Sequence, residues 1–107
     1  MTMDPITEAS AASAPETERA PLWRVLLHDD DFHTYEYVIE MLGALFGMDF
    51  QRALRHAREV DEVGVTEVAR LPREEAERKV YEIMRYGGDP RMRTALSMRA
   101  STEPCET

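Results

Sequence analysis

At 107 residues, with 21 Asp and Glu against 13 Lys and Arg and a formal net charge of -8, the chain is one small acidic domain. No basic stripe runs along it, so nucleic acid is excluded as a partner on electrostatic grounds, and no apolar run is long enough to cross a bilayer. One cysteine, Cys105, leaves no intramolecular disulfide and no zinc-ligand spacing, which suits a reducing, cytoplasmic setting.

In chain order, residues 1–21 are Ala, Ser, Thr, Glu and Pro around a lone Ile6, too poor in apolar surface to offset the entropy of ordering. A disordered N-terminal extension is expected there. Trp23-Arg24-Val25-Leu26-Leu27 then reads as a strand that stops at the carboxylates Asp29, Asp30 and Asp31. Adjacent Asp side chains compete for backbone donors and disfavour both helix and strand interiors, so this stretch is a strand-to-helix loop. Thr34 is the N-cap of the first helix, whose apolar positions Tyr35, Val38, Ile39, Leu42, Leu45 and Phe46 recur at helical spacing up to Gly47. Asp49 caps a second helix with the stripe Phe50, Ala53, Leu54, Ala57 and Val60, and Asp61-Glu62-Val63-Gly64 is expected to break it.

Val65 to Leu71 reads as a second strand, and Pro72 opens a third helix with Glu74, Glu75 and Glu77 at its N-terminal end. Ala76, Val80, Ile83 and Met84 are its core face, and Gly87-Gly88 end it. Beyond Asp89-Pro90, Met92, Thr94, Leu96 and Met98 alternate with polar residues, the period of a half-buried third strand; residues 101–107 are a polar tail. The expected fold is therefore α+β, in the order β-α-α-β-α-β. A three-stranded antiparallel sheet has its helices packed on one face, in a domain spanning residues 22–100.

Three chemistries compete for the acidic loop. His28, Asp29, Asp30, Asp31 and His33 are acceptable ligand types for a transition metal, but alternate side chains of an extended stretch face opposite ways. No second ligand set at fixed spacing accompanies them. Catalysis lacks a nucleophile elbow or a phosphate-binding glycine loop, so an enzyme is not expected, nor any cofactor. The third chemistry is recognition of a primary amine. A cluster of Asp29, Asp30 and Asp61 presents several acceptors to an ammonium with three donors.

The run Trp23-Arg24-Val25-Leu26-Leu27-His28-Asp29-Asp30-Asp31-Phe32-His33-Thr34-Tyr35-Glu36-Tyr37-Val38-Ile39 resembles the signature of the ClpS family of protease adaptors. That signature places an aromatic and a basic residue before an apolar run, then Asn-Asp-Asp-aromatic-Thr and, two residues on, Glu-aromatic-Val. Glu74-Glu75-Ala76-Glu77-Arg78-Lys79-Val80 is similar to the family's third helix, and the likeness spans about residues 22–98. It implies a monomeric cytoplasmic adaptor. Such an adaptor binds the free N-terminus of substrates with a destabilising first residue (an N-degron) and passes them to a Clp-family AAA+ unfoldase, ClpA- or ClpC-like. By the same resemblance Asp29, Asp30 and Asp61 hold the substrate's α-amine. His33, Tyr35, Val38, Ile39, Ala57, Val60 and Met92 form the side-chain pocket, Glu74 and Lys79 meet the unfoldase, and the N-terminal extension is engaged during delivery. The chain departs from the family in Asp29 for Asn, His33 for Thr, Tyr35 for Met, Ala57 for Met and Asp61 for His. Two alternatives stand beside this reading: an adaptor-fold protein that binds or inhibits the unfoldase without N-degron recognition, and a metal-binding protein at His28–His33.

Overall fold

The computed structural model describes residues 21–105; the expected extension at 1–21, all but Pro21, and the last two residues lie outside the described part. Strand β1 (Leu22–His28) leads into helices α1 (Tyr35–Phe46) and α2 (Phe50–Val63), then strand β2 (Val65–Pro72) and helix α3 (Arg73–Met84). A short 3-10 turn (Pro90–Met92) precedes strand β3 (Ala100–Pro104). The sheet order is β2-β1-β3 with both pairings antiparallel, so the most apolar strand is central. The α+β architecture expected from the sequence is the one observed.

Alternation along β1 sorts its two faces. Val25 and Leu27 are fully buried under the helices, in one core with Tyr37, Val38, Met41, Leu42, Ala53, Ala57, Ala76, Ile83 and Met98. Arg24 points to the other face, pairing with Glu67 on β2 at 2.8 Å and Glu103 on β3 at 2.6 Å. A second polar tie holds α2 to the sheet. The Thr66 hydroxyl donates to Glu59 at 2.5 Å and lies 2.8 Å from His56 Nδ1. Burial, with Arg52 adding to it, pulls the His56 imidazole below its usual range.

The caps fall where the sequence places them. Thr34 Oγ1 accepts from Tyr37 N at 3.1 Å, and Asp49 Oδ1 accepts from Arg52 N at 2.8 Å. Gly47 closes α1 in the left-handed region at φ 67°, donating its N–H back to Gly43.

Three expectations are corrected. The third strand is not Met92–Met98 but Ala100–Pro104, so residues 101–104 are paired with β1 rather than forming a tail. Arg93 sits at φ 55° and the 3-10 turn precedes it, which breaks any ladder there; Met92 and Leu96 are exposed, and of the alternating set Met98 alone is buried in the core. β3 is an edge strand of small and polar residues whose side chains bond across to β1, Thr102 Oγ1 to the Arg24 carbonyl at 2.7 Å and Ser101 Oγ to His28 Nε2 at 2.7 Å. The second helix does not stop at Asp61 but runs to Val63 and ends at Gly64, with φ 100°. Finally, Phe50 is exposed, so the buried stripe of α2 is Ala53, Ala57 and Val60.

The segment between α3 and β3 lacks regular structure but is densely wired. Asp89 is fully buried, and its Oδ2 accepts from Thr34 N at 2.7 Å and Thr34 Oγ1 at 2.8 Å. Its Oδ1 accepts from Arg91 N at 3.0 Å and Nη1 at 3.1 Å, and Arg91 also reaches Glu40 at 2.6 Å. Burial alone would raise the Asp89 pKa, but the Thr34 and Arg91 donors outweigh it and hold the pKa at about 2. Tyr37 Oη donates to the Gly87 carbonyl at 2.5 Å, and Gly87 N donates to Ser97 Oγ at 2.7 Å. At Gly88 a Cβ would lie 1.8 Å from the Thr94 carbonyl oxygen, so glycine is required by close backbone approach.

Candidate functional site

β1 ends at His28, and the acidic loop leads from it into α1 past the C-terminal end of α2. The Asp29 backbone is pinned from both sides. Its N–H donates to the Gly64 carbonyl at 3.0 Å, and its carbonyl accepts from Arg99 Nη2 at 3.3 Å. Asp30 folds the loop into an Asx turn by accepting from Phe32 N at 2.8 Å. Asp31 and Phe32 face solvent.

Beside the loop lies a cleft of about 50 Å³ lined by Asp29, Asp30, His33, Thr34, Tyr35, Val38, Ala57, Val60, Asp61 and Met98. It is small against the roughly 300–1,000 Å³ of typical ligand pockets. Its narrowness has a visible source. The Tyr35 hydroxyl, on the first turn of α1, donates to Asp61 Oδ2 on α2 at 2.8 Å. This bond to Asp61, then partial burial, holds the phenol above its usual range, so it remains a donor. Asp61 shares its cleft-facing side of α2 with Ala57 and Val60, one turn and one residue earlier, which the continuation of the helix makes possible.

The structure therefore brings together Asp29, Asp30 and Asp61, and with them His33, Tyr35, Val38, Ala57 and Val60. It does not bring two of the expected pocket residues. Ile39 is half-buried against the main core, and Met92 is exposed on the 3-10 turn. Met98 occupies the cleft instead, a residue that the alternating pattern placed in a strand. The two histidines of the metal alternative have separate partners: His28 bonds Ser101 on the sheet, whereas His33 bonds Asp30 and the Leu96 carbonyl. Among the described residues no group of three or more His, Cys, Asp or Glu side chains is placed to hold a metal.

Glu74 is exposed in the first turn of α3. Lys79 on the same helix is tethered, its Nζ donating to the Leu45 carbonyl at 2.6 Å and to Glu82 at 3.1 Å, and stacking over Phe46 at 5.1 Å. It caps the C-terminal end of α1 from outside. Lys79→Ala is accordingly expected to cost about 1 kcal/mol of stability in chemical denaturation; an unchanged midpoint would show that the tether contributes nothing. Two wider hollows lie at the opposite end of the sheet. One of about 400 Å³ is lined by Arg24, Arg70, Glu103, Pro104 and Cys105, the other of about 440 Å³ by Pro21, Trp23, Pro72, Arg73 and Pro104. In the first, Arg24 and Arg70 are already neutralised by Glu67 and Glu103.

A small antiparallel sheet with helices on one face, carrying an acidic cleft with an apolar floor, is the architecture on which the comparisons with known proteins bear. The family of the ATP-dependent Clp protease adaptor protein ClpS matches residues 18–92. A curated ClpS adaptor of Roseobacter denitrificans is 36% identical over 75% of this chain and 71% of its own length. The ClpS 2 adaptor of Rhodopseudomonas palustris is 33% identical over 77% of this chain and 75% of its own length. A solved structure of Agrobacterium tumefaciens ClpS2 bound to L-phenylalaninamide superposes with a TM-score of 0.71 at 28% identity, covering 81% of this chain and all of that one. The chain belongs to the ClpS family. It is thus a protease adaptor and not itself an enzyme. No helix among the described residues is long and apolar enough to cross a membrane.

Proposed function

We propose that this chain binds the free N-terminus of protein substrates in the cleft at the end of β1 and delivers them to a ClpA- or ClpC-like unfoldase, acting as a cytoplasmic monomer. The observation that carries the reading is the convergence of the carboxylates of Asp29 and Asp61 beside the apolar Val38, Ala57, Val60 and Met98 in one cleft. Carboxylates match an α-ammonium, and the apolar floor matches a first side chain. The ligand of the Agrobacterium structure, L-phenylalaninamide, combines those two features: an amine beside an apolar side chain.

Glu74 on the exposed start of α3 is the better probe of unfoldase docking. Changing Lys79 would also disturb the end of α1, so its loss of binding would have two causes.

The Tyr35–Asp61 bridge favours a second reading, in which the closed mouth takes no N-degron and the domain only occupies or inhibits the unfoldase. Peptides varied at the first residue, each with a free and an acetylated N-terminus, separate the two. Free peptides are expected to bind at least tenfold more tightly than their acetylated forms. Equal affinity across the panel, with unfoldase binding retained, would establish the second reading instead.

A further inference from the structure

Asp30 has a partner within the chain itself. The His33 side chain is only 1% exposed, with Nδ1 at 2.8 and 2.9 Å from the two oxygens of Asp30 and Nε2 at 2.6 Å from the Leu96 carbonyl oxygen. Its ring packs on Tyr37 at a centroid distance of 4.4 Å, which leaves little room to turn away. A carbonyl oxygen can only accept, so Nε2 must carry a hydrogen. Nδ1 then either carries a second hydrogen and donates to the Asp30 carboxylate, or accepts one from a protonated Asp30. The remaining arrangement sets a bare Nδ1 lone pair against a bare carboxylate, an uncompensated repulsion in a buried place. Both permitted arrangements put one proton between the two side chains and make the pair net neutral.

The acceptor capacity of Asp30 is spoken for in other ways as well. Its Oδ1 also accepts from Phe32 N at 2.8 Å, so the same carboxylate closes the Asx turn. The other two carboxylates differ. No donor among the described residues reaches the Asp29 side chain, and Asp61 accepts only the neutral Tyr35 hydroxyl on Oδ2.

We propose that His33 is the resident counter-charge of Asp30, so that Asp30 positions the loop while Asp29 and Asp61 take the charge of the incoming amine. This rests on the amine-binding reading above and assigns its parts. It also explains the chemistry of the departures from the ClpS signature. With His33 engaging Asp30, the one carboxylate that the signature has among these three positions is taken, and Asp at both 29 and 61 supplies two in its place.

Asp30→Asn provides the test. Asparagine can accept from Phe32 N through its oxygen and donate its amide N–H to Nδ1 of a neutral His33, which reproduces the geometry and net charge of the native pair. Affinity for a peptide with a free N-terminal phenylalanine is expected to stay within about threefold of the native protein. Asp29→Asn should lose tenfold or more, and His33→Gln, which strips Asp30 of its counter-charge, should tighten binding severalfold. In the native protein at neutral pH a low-field proton resonance correlated with His33 Nδ1 is expected. A tenfold loss in Asp30→Asn, in a protein that still discriminates free from acetylated peptide, overturns the assignment. So does a bare Nδ1 with no shared proton. Equal native affinity for free and acetylated peptides overturns the amine reading itself, a result that the Asp30→Asn comparison cannot mimic.

Discussion

Asp89→Ala is expected to lower the unfolding free energy by about 3 kcal/mol, because it strands several donors and removes a buried charge. Asp89 has no exposed surface, and its two oxygens take the Thr34 N–H and hydroxyl and the Arg91 backbone and guanidinium. Without it the Thr34 N–H is left without its acceptor, and the segment from Gly87 to Arg99 loses its link to the N-cap of α1, keeping the weaker hold of Tyr37 on Gly87 and of Arg91 on Glu40. For a domain of this size such a loss corresponds to a fall in Tm on the order of 15 °C. The N-cap alone contributes less. Thr34→Ala should cost about 1 kcal/mol.

Acid adds a signature. The folded pKa of Asp89, about 2, lies below the ordinary 3.8, so the unfolded chain takes up this proton first. The stabilisation is fully present above pH 3.8 and drains away as pH falls towards 2. Native protein should therefore show a steep loss of stability across that window, and Asp89→Ala a shallower one. A denaturation midpoint close to native, or an unchanged acid slope, would remove Asp89 from its place as the clasp of the site.

The clasp is also where reading from sequence stops. Helix periodicity, the Thr34 and Asp49 caps and the glycines at 47 and 64 are local signals, each resolved within a turn or two, and each lands within the observed elements. Asp89 bonds Thr34 across 55 residues, a pairing that no local pattern announces. The third strand fails for the opposite reason. Met92 to Met98 carry a strand's alternation, yet the left-handed Arg93 and the contact of Gly88 with Thr94 shape them into a loop. Ala100 to Pro104 carry almost no apolar signal, because an edge strand needs only a ladder partner and small side chains against the core. Met92 and Met98 exchange places in the pocket as a direct consequence. Lys79 is a related case. Charge on an exposed helix reads as surface, and only the packing of α3 near Leu45 turns it into a cap. The acidic cluster itself was legible, since three carboxylates at a strand end and an Asp near Gly64 are visible in the chain. Its internal pairing was not.

Asp61→Ala is expected to weaken binding of peptides with a free N-terminus by roughly ten- to a hundredfold, while leaving the weaker binding of acetylated peptides nearly unchanged. The argument is one of placement. Asp61 stands on the last turn of α2, facing a cleft whose other open carboxylate, Asp29, is fixed through its backbone to Gly64 and Arg99. An ammonium between them replaces no internal cation, so the attraction is not offset by a lost ion pair. Tyr35 complicates the site in a testable direction. Its hydroxyl already donates to Asp61 Oδ2, so an amine that uses Asp61 must share the carboxylate with the phenol or turn it aside. Tyr35→Phe keeps the ring and removes only that donor. It should tighten free peptides a fewfold and widen the range of first side chains admitted, since nothing then anchors the ring across the mouth. Tyr35→Phe in the Asp61→Ala background should have little further effect on amine binding, because the bond it deletes is already gone. A calorimetric cycle over the four proteins measures this coupling. Additive effects would mean that Tyr35 and Asp61 act on the ligand separately, and that the bridge between α1 and α2 does not gate the cleft.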